Sequence, residues 1–296
     1  MKVAVGIDIG GTKVAVALIN ENGEIVSRSQ SPSQTASAES LYQGVVQLVD
    51  KVLNDNDLRI QDTYGIGVGL PGKVDVENGV AIFQNNIPWA NFPIVERLKE
   101  TYGDIPVKID NDVKVAAYAE YRKLNLKPTD MFGYVTVSTG IAATNIVNNT
   151  ILRGEGFSGE IGFVKVPYFE CLEALEVACS GVGIERTGRE IYEDQTLTTK
   201  DIFDKWRSGE EAAIRIIEET AMGLASVLHG MVCLLDPKTI VFGGSVSNYN
   251  PDFIELVKEE LEGLLHHEQK HILEHIQAST IKGDNGIIGA GLLVIE

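Results

Sequence analysis

The chain has 296 residues, 44% hydrophobic and 23% charged, enough for about two globular domains with sizeable cores. Its 42 acidic against 25 basic residues leave a net charge of -17. That charge repels nucleic-acid phosphates and anionic membrane surfaces, and no local basic patch offsets it, so neither is expected as a partner.

The opening MKVAVGIDIGG is an apolar run broken at Asp8, too short and wrongly flanked for a signal peptide or membrane span, and a cytoplasmic location is expected. Residues 2–30 alternate as strand, glycine turn, strand, polar turn at Asn22-Gly23 and third strand. A helix is expected from Ala38 to Asn54, with Leu41, Val45, Leu48, Val49 and Val52 on one face. The strand GIGVGLPG follows, then an Asn- and Pro-rich loop from Phe83 to Pro93, a helix near Val95–Tyr102, the strand IPVKID and a helix from Val113 to Leu124. At residues 133–152 the opening pattern returns: strand, Thr-Gly turn, strand, polar turn at Asn148-Asn149, third strand. A helix-rich stretch from Leu172 to Ile191, an acidic helix at Thr199–Lys205 and a long helix from Glu210 to Leu235 come next. Asp236-Pro237 ends that helix and starts the strand TIVFGGSV, and a last helix begins near Ile287. The pattern is α/β, and its repetition predicts a duplicated architecture of two lobes with a ligand cleft between them. The lobes are expected at 1–113 and 114–286, with the helix at 287–296 packing back on the first. Cys171, Cys179 and Cys233 form an odd set without paired spacing and read as reduced thiols.

In Asp8-Ile9-Gly10-Gly11-Thr12-Lys13 a strand-end carboxylate precedes two glycines, a hydroxyl and an ammonium. Such glycines let backbone N–H groups approach phosphate oxygens, Thr12 and Lys13 add donors, and Asp8 can hold Mg²⁺ through water. A plain hairpin whose glycines permit positive φ accounts for the spacing equally well, and the loop is not a GxxxxGK[ST] type.

DIGGTK at 8–13, LPGKVD at 70–75 and IDNDVKVAAYAE at 109–120 stand in the order seen in the ROK family of sugar kinases and sugar-responsive repressors. STGIAATNI at 138–146, RGEGFSGEIG at 153–162, LEVACSG at 175–181, VFGGSV at 241–246 and IIGAGLL at 287–293 continue the match over essentially the whole length. The resemblance implies a two-lobed actin-like, ribonuclease H-like duplicated kinase fold. It places Asp8, Gly10, Gly11, Thr12 and Lys13 at the ATP phosphates and metal, Thr139 and Gly140 in a second phosphate loop, and Gly243 and Gly244 near the adenosine. Asn86, Asn111, Asp112, Glu160 and Glu176 match positions that bind hexose hydroxyls, and Asp112 matches the general base.

Read without the resemblance, Asn111-Asp112 is an ordinary helix N-cap, Glu160 a loop ion pair and Glu176 a first-turn acid suited to the helix dipole. The chain also departs from the family. Phe163 stands where family kinases have a histidine, and Pro167, Phe169 and Ala174 where they have cysteines, so no structural zinc is expected, with Phe163 and Phe169 filling the volume by apolar packing. Ala142, Ala143 and Thr144 replace a glycine run in the second phosphate loop, where their side chains would crowd a phosphate. His267-Glu268-Gln269-Lys270-His271 spells HExxH but lies in a charged stretch and reads as a solvated helix face.

The resemblance therefore implies an ATP- and Mg²⁺-dependent, homodimeric sugar kinase acting on the 6-hydroxyl of a hexose or hexoside, with glucose or a β-glucoside favoured over N-acetylmannosamine. The rival is a non-catalytic sugar- or nucleotide-binding ROK protein with a sensing role. The family's repressors carry an N-terminal helix-turn-helix domain, for which a first strand starting at Lys2 leaves no room.

Overall fold

The structure is a computed structural model that describes residues 2–84, 86–281 and 283–295. The chain divides into two compact units. Unit 1 runs through Leu126 and takes in Arg153–Phe157 and the chain from Gly283 onward, and unit 2 comprises Lys127–Leu152 and Ser158–Lys282.

Unit 1 opens with the antiparallel meander β1 (Ala4–Ile9), β2 (Lys13–Ile19) and β3 (Ile25–Pro32). Helix α1 (Ala38–Asn54) follows, started by a capping box between Ser37 and Ser40 and burying Leu41, Val45, Leu48, Val49 and Val52. β4 (Ile66–Leu70) lies parallel to β1, and its residues are buried throughout, as expected of a strand covered on both faces. β5 (Lys73–Asp75), β6 (Val80–Phe83) and β7 (Ala90–Phe92) form a separate small sheet, so the expected loop at 83–93 contains a strand. Trp89 orders that segment by stacking on Phe92, with ring centroids 4.5 Å apart, and by donating Nε1–H to the Ala38 carbonyl at 3.0 Å. Helix α2 (Ile94–Tyr102), β8 (Val107–Asn111) and α3 (Asp112–Leu124) complete the run, and the main sheet has the order β3-β2-β1-β4-β8.

Unit 2 repeats the plan. β9 (Phe132–Val137), β10 (Ile141–Val147) and β11 (Thr150–Ile151) form a second meander. The hairpin β12 (Lys165–Tyr168) and β13 (Cys171–Ala174) follows, so the expected helical stretch begins three residues later than Leu172, at α4 (Leu175–Cys179), and continues in α5 (Gly181–Ile191). The hairpin is set by period-two burial, with Val166 and Tyr168 inside and Lys165 and Pro167 outside. Helices α6 (Thr199–Arg207) and α7 (Glu211–Leu235) precede β14 (Thr239–Gly243), α8 (Ser245–Tyr249), α9 (Pro251–Leu264) and β15 (Ile276–Ala278). α7 is long and apolar enough to cross a membrane, but its apolar face, including Ile216, Ile217, Leu224 and Leu228, lies in the unit 2 core. This sheet has the order β11-β10-β9-β14-β15, the order of the first sheet with each strand replaced by its counterpart.

The last helix, α10 (Asn285–Leu292), belongs to unit 1, where it packs on β1, β2, β4 and α3. The contact is backbone to backbone: a Cβ at Gly67 of β4 would sit 1.7 Å from the Ala290 carbonyl oxygen. Because α3 packs on α10, the division falls after Leu126 and not at residue 113.

The segment His267–His275 is a 3₁₀ helix, not an α-helix. At three residues per turn, His267 and His271 fall about 120° apart around the axis, so the HExxH spacing does not bring them onto one face. Among the described residues no cluster of three or more metal-ligating side chains occurs.

Candidate active site

In unit 1 the turn between β1 and β2 carries Gly10, Gly11, Thr12 and Lys13. The Gly10 N–H closes the turn on the Lys13 carbonyl at 2.9 Å, and Ser33 ties the loop to β3 by donating its hydroxyl to the Gly10 carbonyl at 2.6 Å. Thr12 and Lys13 stand exposed. Gly11 is required by close approach, since a Cβ there would lie 2.7 Å from Cβ of Asn86. The asparagine of the 83–93 segment thus sits directly on the first glycine loop.

Asp8, at the end of β1, packs against Gly286 in the first turn of α10, where a Cβ would meet its carboxyl carbon at 3.1 Å. Burial pushes its carboxyl above the usual carboxylate range, Lys13 and Arg28 pull it back, and Asp284, ion-paired to Arg28 at 2.5 Å, adds to the rise. An undercompensated carboxylate beside a glycine loop suits a divalent cation that keeps its waters and shares phosphate oxygens, the coordination Mg²⁺ prefers.

Asn111 and Asp112 head α3, and the structure separates their tasks. Asn111 is the N-cap: its side-chain oxygen accepts from the N–H of Val113 at 3.0 Å and Lys114 at 3.4 Å, while its amide donates to the Gly72 carbonyl at 3.0 Å. Asp112 is the first helical residue and half-buried, its carboxylate accepting from the Val113 N–H at 2.9 Å. Behind them Asp110 is buried and paired with Arg153, a contact sequence reasoning missed because the partners are 43 residues apart.

In unit 2 the corresponding turn is Ser138-Thr139-Gly140, closed by the Ser138 N–H on the Gly140 carbonyl at 2.9 Å. Glu176, at the start of α4, accepts from the Ile141 N–H at 2.9 Å and so fastens the turn from below. Glu160 lies just ahead of the short 3₁₀ turn Ile161–Phe163. Ala142, Ala143 and Thr144 lie within β10, with Ala143 and Thr144 buried and the Ala143 N–H donating to the Gly159 carbonyl at 2.7 Å. The expected crowding is corrected for these two, whose side chains are core groups. Phe163 is also corrected: at 69% exposure it fills no volume, whereas Phe169 packs edge-on against Tyr168 at 4.9 Å and under Arg215 at 4.7 Å.

Gly243 ends β14, and Gly244 after it caps α8 with φ +86° and a would-be Cβ 2.4 Å from the Val137 carbonyl oxygen. Beyond them lies a cavity of about 670 Å³ lined by Ser138, Thr139, Gly181, Glu185, Thr199, Arg207, Ser245, Tyr249 and others. Thr199 donates to the Gly181 carbonyl at 2.8 Å, and Arg207 is fixed by Asp252 at 2.7 Å and by Asn250 at 2.7 Å. Of these residues sequence reasoning named only Thr139. The available signal was that Gly181 and Gly244 each precede or begin a helix and so admit a ligand to its first turn.

Two sheets of the same strand order, each with a glycine turn after its first strand, meet the ROK family model over residues 4–296. The chain belongs to the ROK family. It is 28% identical to a glucokinase of Halalkalibacterium halodurans, over 98% of this chain and 94% of that protein. It is also 28% identical to an N-acetylmannosamine kinase of Haemophilus influenzae, over 97% and 94%. A ROK glucokinase of Streptomyces griseus, solved with glucose and AMPPNP, superimposes with a TM-score of 0.75 at 26% identity over 98% of both chains. The fold is the actin-like ATPase fold of the ROK sugar kinases.

Proposed function

We propose that this ROK protein is an ATP-dependent sugar kinase that phosphorylates the 6-hydroxyl of a hexose or hexoside, with glucose or a β-glucoside favoured and N-acetylmannosamine next. The observation that carries the reading is the pair of glycine turns, Gly10–Lys13 and Ser138–Gly140, at equivalent strand ends of two sheets with one topology. Relatives named glucokinase and N-acetylmannosamine kinase support it.

In this reading Gly10, Gly11, Thr12 and Lys13 hold phosphate oxygens through backbone and side-chain donors, as do Thr139 and Gly140. The cavity beyond Gly243 and Gly244 takes the adenosine. Asn111, anchored by its own capping bonds, Asn86, Glu160 and Glu176 orient the hexose. Asp112 accepts the proton of the attacking hydroxyl; the cap belongs to Asn111, so this carboxylate is not needed to start α3. Asp8 would hold Mg²⁺, which when bound neutralises charge on the transferring phosphoryl group. A cytoplasmic homodimer goes with the reading.

An ATP-coupled assay over glucose, mannose, N-acetylmannosamine, N-acetylglucosamine, cellobiose and gentiobiose tests it. Turnover is expected with at least one of them. Sugar binding by calorimetry without turnover of any would favour the sensing alternative.

A further inference from the structure

The unit 2 cavity of about 670 Å³, where the kinase reading seats the adenosine, is walled by α5, α6 and α8. Its polar side chains are committed to the protein itself. Thr199 donates its hydroxyl to the Gly181 carbonyl at 2.8 Å. Arg207 donates to Asp252 at 2.7 and 2.8 Å and to Asn250 at 2.7 Å, and lies 3.7 Å from Asp204. The buried Asn250 amide in turn donates to the Val246 carbonyl at 2.7 Å. Glu185 is ion-paired with Arg189 at 2.7 Å and accepts from the Thr199 N–H at 3.3 Å.

The apolar groups are the reverse case. Val182 on α5 is 57% exposed and Tyr249 on α8 is 81% exposed, and both line the cavity. Apolar surface on a cavity wall gains by being covered, and an aromatic ring stacks on any base, since every base has a π-face.

Adenine and guanine differ at position 6, where one carries an amino donor and the other a carbonyl acceptor. A site that sorts them needs a fixed donor free to meet the guanine carbonyl, or one free to meet adenine N1. Beyond the Ser138–Gly140 turn the side-chain donors fixed in direction are those of Thr199, Arg207 and Asn250, and each has its acceptor within the protein. Lys200 pairs with Asp204 but stands 80% exposed on a flexible stem, so it fixes no direction. What stays open on the lining is acceptor capacity, on Glu185, Asp204 and the Thr199 oxygen. Acceptors alone do not sort the two bases, because each presents an amino group.

We propose that this cavity holds a purine by its faces and not by its edge, with Tyr249 as the stacking residue, so that the phosphoryl donor is a purine nucleoside triphosphate of either kind, ATP or GTP. The inference rests on the reading of the cavity as the nucleoside site. Strong discrimination requires polar groups left unpaired by the wrong ligand, and an apolar wall does not supply them.

Calorimetry with the Mg²⁺ complexes of ADP, GDP and IDP on the wild-type protein, Tyr249→Ala and Tyr249→Phe tests this without turnover. In the wild type the three dissociation constants are expected within about tenfold of one another. Tyr249→Ala should weaken all three in parallel by roughly fivefold or more, the contribution of a base stacked on an aromatic ring. Tyr249→Phe should keep wild-type affinity, and since Tyr249 is exposed both variants should melt near wild type. A wider gap among the purines, a smaller loss in Tyr249→Ala, a loss in Tyr249→Phe, or no binding of any diphosphate overturns the proposal. A coupled assay with ATP and with GTP separates the two readings. Purine-tolerant binding without phosphorylation of any sugar sinks the kinase reading alone, and phosphorylation by ATP with GTP rejected sinks the tolerance alone.

Discussion

At the scale of single residues, Asp112 and Asp8 carry the sharpest expectations. Because Asn111 caps α3, Asp112→Asn should leave the melting temperature near wild type. Turnover should fall by about 10² to 10⁴, the usual contribution of a general base, with sugar affinity kept within about one order of magnitude. Calorimetry, thermal melting and kcat on one preparation check this, and wild-type turnover would remove Asp112 from the chemistry. For Asp8 the direction of the pKa shift sets the sign. Burial raises its carboxyl above 3.8, so the folded protein holds the proton more tightly than the unfolded chain. The group is neutral for stability well below 3.8 and increasingly destabilising as pH climbs from there through its raised folded value. Asp8→Asn should therefore melt higher than wild type at pH 7, with the gain shrinking as pH is lowered toward 3.8, while turnover falls. An Asn variant less stable than wild type at pH 7 would contradict this.

At the scale of elements, the β12–β13 hairpin is held by apolar packing and one hydrogen bond to α7. Val166 and Tyr168 are buried, Phe169 packs on Tyr168, and the Phe169 N–H donates to Glu219 at 2.9 Å. At the positions where the ROK resemblance implies zinc ligands stand Phe163, Pro167, Phe169 and Ala174, none of which can coordinate zinc through its side chain. Purified protein should contain substoichiometric zinc and keep its melting temperature in strong chelator. Stoichiometric zinc by elemental analysis would overturn that. Phe163, at the position where the resemblance implies a histidine, is exposed and adds nothing to the core.

At the scale of the whole molecule, the chain returns at its end to complete its beginning. α10 covers β1, β2 and β4 with backbone-close contacts at Gly6 and Gly67, and its first turn adjoins Asp8. Removing residues 283–296 would uncover the sheet face that carries Ala4, Ala15, Ala17 and Ile19 and the glycines Gly6 and Gly67. The truncated protein should lose the folding transition of unit 1, about 1.5–3 kcal/mol being forfeited for each large apolar side chain returned to water. Hydrogen exchange checks it: β1 and β4 should lose protection while β9 and β14, in the other unit, keep theirs. Retained protection in β1 would show that unit 1 folds without its last helix.

The sequence by itself determined whatever rests on local chemistry. The strand–glycine turn–strand repeat, the bounds of α1 and the cap ahead of α3 all follow from periodicity and backbone preference within a few residues. The same locality explains the errors. β7 was hidden in an Asn- and Pro-rich segment because it exists only by pairing with β6, and β13 because it needs β12. The 3₁₀ form of His267–His275 was equally invisible, since a charged stretch satisfies either helix. Tertiary structure alone decided the burial of Asp110 against Arg153 and the cavity built from Ser138, Gly181, Arg207 and Ser245. Each of these brings together groups dozens of residues apart, or depends on which neighbours exclude water from a charge, and no window of sequence contains either quantity.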